Sequence, residues 1–310
     1  MPTKEQKDAL RIVYMGTPEF AVPSLEILVE HGYNVVGVIT APDKPKGRGQ
    51  KLSISPVKEA AEKLGLRLLQ PTKLKSPEFQ EELRSLNANL QIVVAFRMLP
   101  ESVWDMPEIG TFNLHASLLP QYRGAAPINW AIINGEQETG ITTFFLQHEI
   151  DTGNIIFQEK EPIHDTDTVG ELYGRLMQKG AQLVLKTVDG IAEGDYPQVP
   201  QDDSGSLKMA PKIFRETCEI VWDQPTQRVY DFVRGLSPYP AAWTTVNDKQ
   251  LKLYKVEKVP GKNLAPGSYE TDNKTELLFG TADGALRVLE LQLQGKRRMN
   301  IEDFLRGNTL

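Results

Sequence analysis

Residues 10–40 read LRIVYMGTPEFAVPSLEILVEHGYNVVGVIT. The first five form an apolar run that fits a buried strand ending in M-G-T-P-E-F, and residues 34–40 form a second such run. Between them, residues 21–31 carry apolar side chains at helical spacing, and Gly32 stops the pattern. Strand, helix, strand in that order predicts a parallel, doubly wound sheet with right-handed crossovers. Gly16 sits where a dinucleotide-binding glycine could stand. However, neither the G-x-G-x-x-G fingerprint nor the P-loop spacing is present, so NAD and ATP are not indicated. Gly16 reads as a tight strand-to-helix turn.

Working outward, residues 55–64 predict a helix with Ser55 as N-cap and Pro56 at its first position. A short strand at 66–69, a helix at 77–86 capped by Ser76, and a central strand at 90–96 (LQIVVAF) follow. A helix at 128–134 should bury Trp130, and strands at 141–146 and 154–160 should pair as a hairpin. A long amphipathic helix at 168–189 should cover the sheet. Residues 193–205 (EGDYPQVPQDDSG), rich in Pro, Gly and Asp, read as a linker. Beyond a helix at 226–236, short alternating runs at 244–246, 251–256, 276–280 and 286–293 predict a small β-barrel. The expected domains are 1–192 and 207–310, joined by a linker at 193–206.

The composition fits this organisation: 310 residues suit two domains, and 40% hydrophobic with 25% charged content is ordinary for globular proteins. A single cysteine, Cys218, excludes an internal disulfide and a cysteine-rich zinc site, so a reducing cytoplasm fits best. No apolar run approaches the roughly 18 residues of a membrane helix, and the polar start MPTKEQKDAL lacks the apolar core of a signal peptide. The net charge of −6 is unevenly spread. From residue 207 onward 16 Lys and Arg face 13 Asp and Glu, whereas the remainder holds 19 against 28. A basic tail on an acidic body is a pattern that a polyanion-binding attachment can have.

The residues with chemistry lie in 111–131, TFNLHASLLPQYRGAAPINWA. Asn113 and His115 are two apart, so on an extended chain they project from one face. Asp151 follows 36 residues later in HEIDTGNII. Imidazole moves protons near neutrality, an amide N–H can hold a developing oxyanion, and a carboxylate can orient the imidazole. Each also has a plainer reading: a satisfied core histidine, a turn-capping Asn, and an Asp suited to a turn before Thr-Gly. Only their combination favours a site. His31, His148 and His164 have no partner at a telling spacing, and no further ligand joins His148, Glu149 and Asp151 at zinc spacing, so no metal is expected. Residues 43–51, DKPKGRGQK, hold four cations and one acid, and their glycines and proline predict a flexible cationic loop.

The set N-x-H-x-S-L-L-P-x-Y-R-G-x-x-P from Asn113, with D-T-G from Asp151, resembles the folate-dependent formyltransferases. GTPEFAVPSLE from Gly16, APDKPKGRGQKL from Ala41, SPVKEAA from Ser55 and LSPYPAAW from Leu236 extend the resemblance over nearly the whole chain. They point to the branch acting on methionyl-tRNA. The resemblance implies an α/β fold, with a Rossmann-like parallel-sheet formyltransferase domain followed by a small OB-like β-barrel. It implies transfer of the formyl group of 10-formyltetrahydrofolate to the α-amino group of methionine on initiator tRNA, for translation initiation. Asn113, His115 and Asp151 would be catalytic. Asp151 would either stabilise the imidazole or take the amine proton through a water, and both remain open. Ser117, Leu118, Leu119 and Pro120 would pack on the folate, and the backbone of Val94, Ala95 and Phe96 would line the pterin slot. The cationic loop would wedge into the tRNA acceptor end through Arg48, flanked by Lys44, Lys46 and Lys51. Lys208, Lys296, Arg297 and Arg298 would meet phosphates, as Lys212, Lys249 and Lys252 could. One departure stands out: this chain reads A-F-R-M-L-P where the family has a slightly longer A-Y-G-x-I-L-P, which puts Arg97 beside the folate slot. Rival readings use the same triad: a glycinamide ribonucleotide formyltransferase, an amino-sugar formyltransferase, or a formyl-folate hydrolase. A non-catalytic RNA-binding protein is a rival from another class.

Overall fold

The computed structural model describes residues 1–46 and 51–308. They fall into two compact units. The first takes residues 1–123, 140–161 and 174–208, and the second takes 124–139, 162–173 and 209–310. The second unit thus draws two stretches from inside the first two hundred residues.

In chain order the elements begin with α1 (Lys4–Asp8), β1 (Arg11–Gly16), α2 (Val22–Glu30), β2 (Asn34–Ile39), β3 (Lys44–Lys46) and β4 (Lys51–Ser53). Next come α3 (Pro56–Lys63), β5 (Leu68–Leu69), α4 (Pro77–Ser85), β6 (Leu90–Val94), α5 (Glu101–Trp104) and β7 (Gly110–His115). Then follow β8 (Arg123–Gly124), α6 (Pro127–Ile133), β9 (Glu138–Phe145), β10 (Ile155–Pro162), α7 (Val169–Glu193) and β11 (Met209–Ala210). The carboxyl-terminal part holds α8 (Thr226–Gly235), β12 (Ala242–Val246), β13 (Lys249–Pro260) and β14 (Tyr269–Thr271). It ends with β15 (Leu277–Gly280), β16 (Gly284–Leu293), β17 (Met299–Asn300) and α9 (Ile301–Gly307).

The first unit is built on a seven-stranded sheet in the order β10-β9-β7-β6-β1-β2-β5. β1 runs parallel to β2 and β6, and β6 runs parallel to β7. Strands covered on both faces read as unbroken apolar runs, which is why LRIVY and LQIVV carry no alternation. Side chains of Val13, Met15, Ile39 and Val93 join Phe79 and Leu83 of α4 in one core cluster. On the opposite face α7 lies close over β7. A Cβ at Gly180 would stand 2.7 Å from Leu114 Cδ2, so a larger residue there would make the leucine side chain shift. The central strand ends at Val94, two residues earlier than predicted, because Ala95 turns into the left-handed region at φ 48°.

Two stretches are more ordered than their composition suggests. Lys44–Lys46 and Lys51–Ser53 pair antiparallel as a separate two-stranded ladder, with Lys44 opposite Ser53 and Pro45 opposite Leu52, while Gly47 and Gly49, where irregularity is predicted, lie outside the described residues. A proline is tolerated in such an isolated ladder because it only lacks a donor. Residues 193–206, read as a linker, carry a β-bridge between Val199 and Ile155.

The second unit holds an antiparallel sheet, β12-β13-β16-β15-β14, with β17 beside β16, curled into a half-barrel. The register slips between Leu253 and Val256 of β13, and a bulge of that kind bends a strand. Trp222 stacks on Phe279 at 4.7 Å within a core that also takes Val229 and Val233 of α8 and Phe304 of α9. Trp130, expected inside, is only partly buried, and its Nε1 donates to the Pro211 carbonyl at 2.8 Å. Among the described residues, no helix is long and apolar enough to cross a membrane, and no cluster of His, Cys, Asp or Glu is arranged to hold a metal.

Candidate active site

β7 carries Asn113 and His115 on the face opposite Leu114. Asn113 is in register with Val93 of β6, and Leu114 with Val94. Asn113 is half-buried and His115 is 6% exposed. The imidazole is held from one side: Nε2 lies 2.8 Å from the Tyr122 carbonyl oxygen. A carbonyl can only accept, so Nε2 carries the hydrogen in this contact. The nitrogen left to take up a proton is therefore Nδ1, and it stands 3.9 Å from Asp151 Oδ2. That separation is too long for a hydrogen bond, yet short enough for the carboxylate to stabilise positive charge on the ring.

Asp151 reaches this position by an indirect route. In the antiparallel β7–β9 pair, His115 faces Thr142 while Phe112 faces Phe145, so β9 runs three residues past the histidine before it ends. The loop at 146–154 must double back along the strand to bring the carboxylate to the imidazole. It does so with Asp151 in the left-handed region at φ 58° and with Gly153 pressed on the strand end. A Cβ at Gly153 would lie 1.6 Å from the Phe145 carbonyl oxygen, so no larger residue fits without displacing the loop. Gln201 closes the loop from outside, its Nε2 donating to the carbonyls of Asp151 at 2.8 Å and Gly153 at 2.9 Å.

The SLLP loop splits in two. Ser117 is fully buried, its Oγ donating to the Gln121 carbonyl at 2.6 Å and its own carbonyl accepting from Thr142 Oγ1 at 2.7 Å. Leu119 is buried too, with its N–H donating to Thr142 Oγ1 and its carbonyl accepting from Gln158 Nε2 at 2.9 Å. These two side chains shape the loop, whereas Leu118 and Pro120 remain half-exposed. Val94 is fully buried on the Leu114 face, so it can offer a ligand only its backbone. Ala95 is exposed and Phe96 half-exposed, and both have left the strand ladder. Arg97 lies over the Phe96 ring and donates to the carbonyls of Pro71 and Thr72, which ties it to the turn after β5.

Of the expected tRNA contacts, Arg48 lies outside the described residues, and Lys46 and Lys51 are described only as backbone of the hairpin. Lys44 is exposed. The root of the hairpin is fastened by Asp43, which pairs with Lys58 at 2.5 Å and accepts from Gln70 at 2.8 Å. Those hydrogen bonds, the one from Lys58 foremost, hold the Asp43 carboxyl below the usual carboxylate range. Lys208 is exposed, and its backbone is tied to Gln121 and Tyr122. In the second unit Lys296 and Arg297 are exposed, while Arg298 pairs with Glu290 at 2.6 Å and covers the Tyr254 ring. His148 lies edge-on to Trp104 beside Glu101.

Two residues of this neighbourhood, Gln201 and Asp203, carry no signal in the sequence, whereas their partner Arg123 lies within the N-x-H-x-S-L-L-P-x-Y-R-G motif. Arg123, only 7% exposed, pairs with Asp203 at 2.6 Å and donates to Gln201, which in turn holds the Asp151 loop. Gln201 and Asp203 fall in a stretch whose composition indicates a linker, and no local pattern marks them as partners of the site.

The formyl transferase model matches residues 10–188, and the model of the formyl transferase carboxyl-terminal domain matches residues 212–309. The chain is similar to the methionyl-tRNA formyltransferase of Phocaeicola vulgatus, at 61% identity over 98% of this chain and 97% of that one. It is similar to that of Parabacteroides distasonis, at 60% identity over 97% of each. Among solved structures it resembles WlaRD, a sugar 3N-formyl transferase crystallised in the presence of dTDP and 5-N-formyl-THF. That match has a TM-score of 0.66 at 20% identity, covering 93% of this chain and 99% of that one. A match at this identity speaks for the fold. Family models over most of the length, with curated relatives near 60% identity end to end, establish that the chain belongs to the formyl transferase family.

Proposed function

We propose that this chain transfers the formyl group of 10-formyltetrahydrofolate to the α-amino group of methionine on initiator tRNA, and that Asn113, His115 and Asp151 carry the transfer in the cytoplasm. The observation that carries the chemistry is the held imidazole, with Nε2 on the Tyr122 carbonyl and Nδ1 turned to Asp151. The near-full-length likeness to proteins named methionyl-tRNA formyltransferase supports the choice of acceptor.

The folate supplies an activated formyl group. A pterin is recognised by paired donors and acceptors, and Ala95 and Phe96, beyond the end of β6, can offer backbone groups of both kinds. Leu118 and Pro120 can pack on the cofactor, with Ser117 and Leu119 holding the loop beneath them. The attacking amine must lose a proton, and His115 Nδ1 would accept it while Asp151 stabilises the resulting imidazolium. The same nitrogen can return the proton to the leaving nitrogen. The Asn113 amide can donate to the oxygen on which negative charge develops, without introducing a charge of its own. Residues 1–192 would hold the reaction. Arg48, Lys44, Lys46 and Lys51 would meet the acceptor end, and residues 207–310 would grip the tRNA through Lys208, Lys296, Arg297 and Arg298. Because Arg298 is engaged by Glu290, Lys296 and Arg297 are the better candidates of the last three.

A transfer assay with 10-formyltetrahydrofolate should compare initiator Met-tRNA, glycinamide ribonucleotide and no acceptor. Formylation of the tRNA alone supports the reading. Transfer to the small amine, or formate released without an acceptor, overturns it.

A further inference from the structure

We propose that Gln201 and Arg123 are positioning residues for formyl transfer, locking the Asp151 loop to the His115 side of the site. This rests on the roles assigned to His115 and Asp151 above. The contacts form one continuous chain. The Tyr122 carbonyl holds His115 Nε2 at 2.8 Å. The next residue, Arg123, is buried, and its guanidinium donates to Gln201 Oε1 through Nε at 3.1 Å and Nη2 at 2.6 Å. It also donates to both oxygens of Asp203, at 3.2 and 2.6 Å. The other end of the Gln201 amide donates to the Asp151 and Gly153 carbonyls, at 2.8 and 2.9 Å.

The amide can face only one way. Arginine offers donors alone and the two carbonyls are acceptors alone, so a flipped amide would lose all four bonds at once. One side chain therefore ties residues 123, 151 and 153 into a single frame. The segment that carries it is fastened on both sides. Val199 exchanges backbone bonds with Ile155, Gln121 Nε2 donates to the Ser206 carbonyl, and the Lys208 N–H donates to Gln121 Oε1. The carbonyl of Asp151 is thus pinned at the residue whose carboxylate must meet the imidazole. The turn, with Asp151 in the left-handed region at φ 58°, is fastened to this frame at two of its carbonyls.

The test compares Gln201→Leu, Gln201→Glu, Asp151→Asn and the Asp151→Asn/Gln201→Leu pair in the transfer assay, with kcat, both KM values and Tm recorded. Gln201→Leu keeps the volume and removes the bonds. Gln201→Glu keeps an acceptor for Arg123, and so the fastening of the segment, but sets an oxygen against two carbonyls. Misplacement by about 1 Å can cost on the order of 100-fold. Both variants should therefore lower kcat by about 10- to 100-fold while both KM values stay within about threefold. In the Asp151→Asn background Gln201→Leu should add less than about twofold, because the residue it positions is no longer functional. An unchanged kcat in either Gln201 variant, or an undiminished loss in the Asp151→Asn background, overturns the proposal while leaving the catalytic assignment intact. A wild-type kcat for Asp151→Asn alone removes the catalytic assignment, and this proposal with it.

Discussion

β7 and the loop at 146–154 deliver the two halves of one site by different physical means. Asn113 and His115 stand on a strand laddered on both sides, to β6 and to β9, and Leu114 between them packs close to Gly180 of α7. Their direction follows from strand geometry, and the sheet would keep it if either side chain were changed. Asp151 has no ladder beneath it. It is placed by a left-handed turn, by a glycine pressed on Phe145, and by an amide from fifty residues further along. The difference is that a side chain on a laddered strand takes its direction from the sheet, whereas one on a loop depends on groups far away in sequence.

The largest expected effect lies on the ladder side. His115→Ala should lower single-turnover transfer by about 100- to 10,000-fold, and Asn113→Ala by about 100- to 1000-fold. Both should retain the wild-type far-UV spectrum and tRNA binding. A collapsed fold in either would break the claim that the sheet holds its shape without them. Next comes Gly153→Ala. The added methyl has no room, so the loop must move, and overpacking of this kind costs about 1–3 kcal/mol. A lower Tm together with a kcat drop of about tenfold or more is the expected result, read by thermal melting and the transfer assay. A normal kcat would mean that the loop tolerates displacement.

The smallest effect sharpens the contrast from a brace that does not touch the loop. Glu161 on β10 is buried and paired with Arg175 and Lys179 of α7, at 2.7 and 2.8 Å. Burial pushes its carboxyl up, but the hydrogen bonds from Lys179 and Arg175 outweigh it, so the group titrates below the usual range. A folded-state pKa below the unfolded one stabilises the fold above pH about 4, and that increment is lost as pH falls through the folded value. Glu161→Gln should lower Tm by roughly 2–4 °C at pH 7, by less as the pH approaches 3, and leave kcat unchanged. A Tm difference that grows on acidification would reverse the assignment.

Much of the fold was legible because it rests on local periodicity. LRIVY, NVVGVIT and LQIVV are continuous apolar runs, and each became a strand of the parallel sheet. The Ser55 and Ser76 caps open α3 and α4 as read, each hydroxyl accepting a backbone N–H three residues on. Asn113 and His115 were legible for the same reason, since a spacing of two on a strand settles which face they share. What failed was the assignment of order from composition. Pro45 pointed away from regular structure, yet it pairs with Leu52 in a two-stranded ladder, and the Pro- and Asp-rich stretch around Gln201 looked like a linker. Composition reports what a segment can do alone and says nothing of partners supplied from elsewhere.

By itself, the sequence determined the parallel sheet, the pairing of Asn113 with His115 and the antiparallel tail, because each follows from side chains within a few residues of one another. Only the tertiary structure decided which imidazole nitrogen is free to take a proton, how Asp151 comes back to it, and that Arg123 and Gln201 frame the meeting. Those outcomes depend on hydrogen bonds between residues up to 78 positions apart, formed once the chain has closed on itself, and no local pattern encodes them.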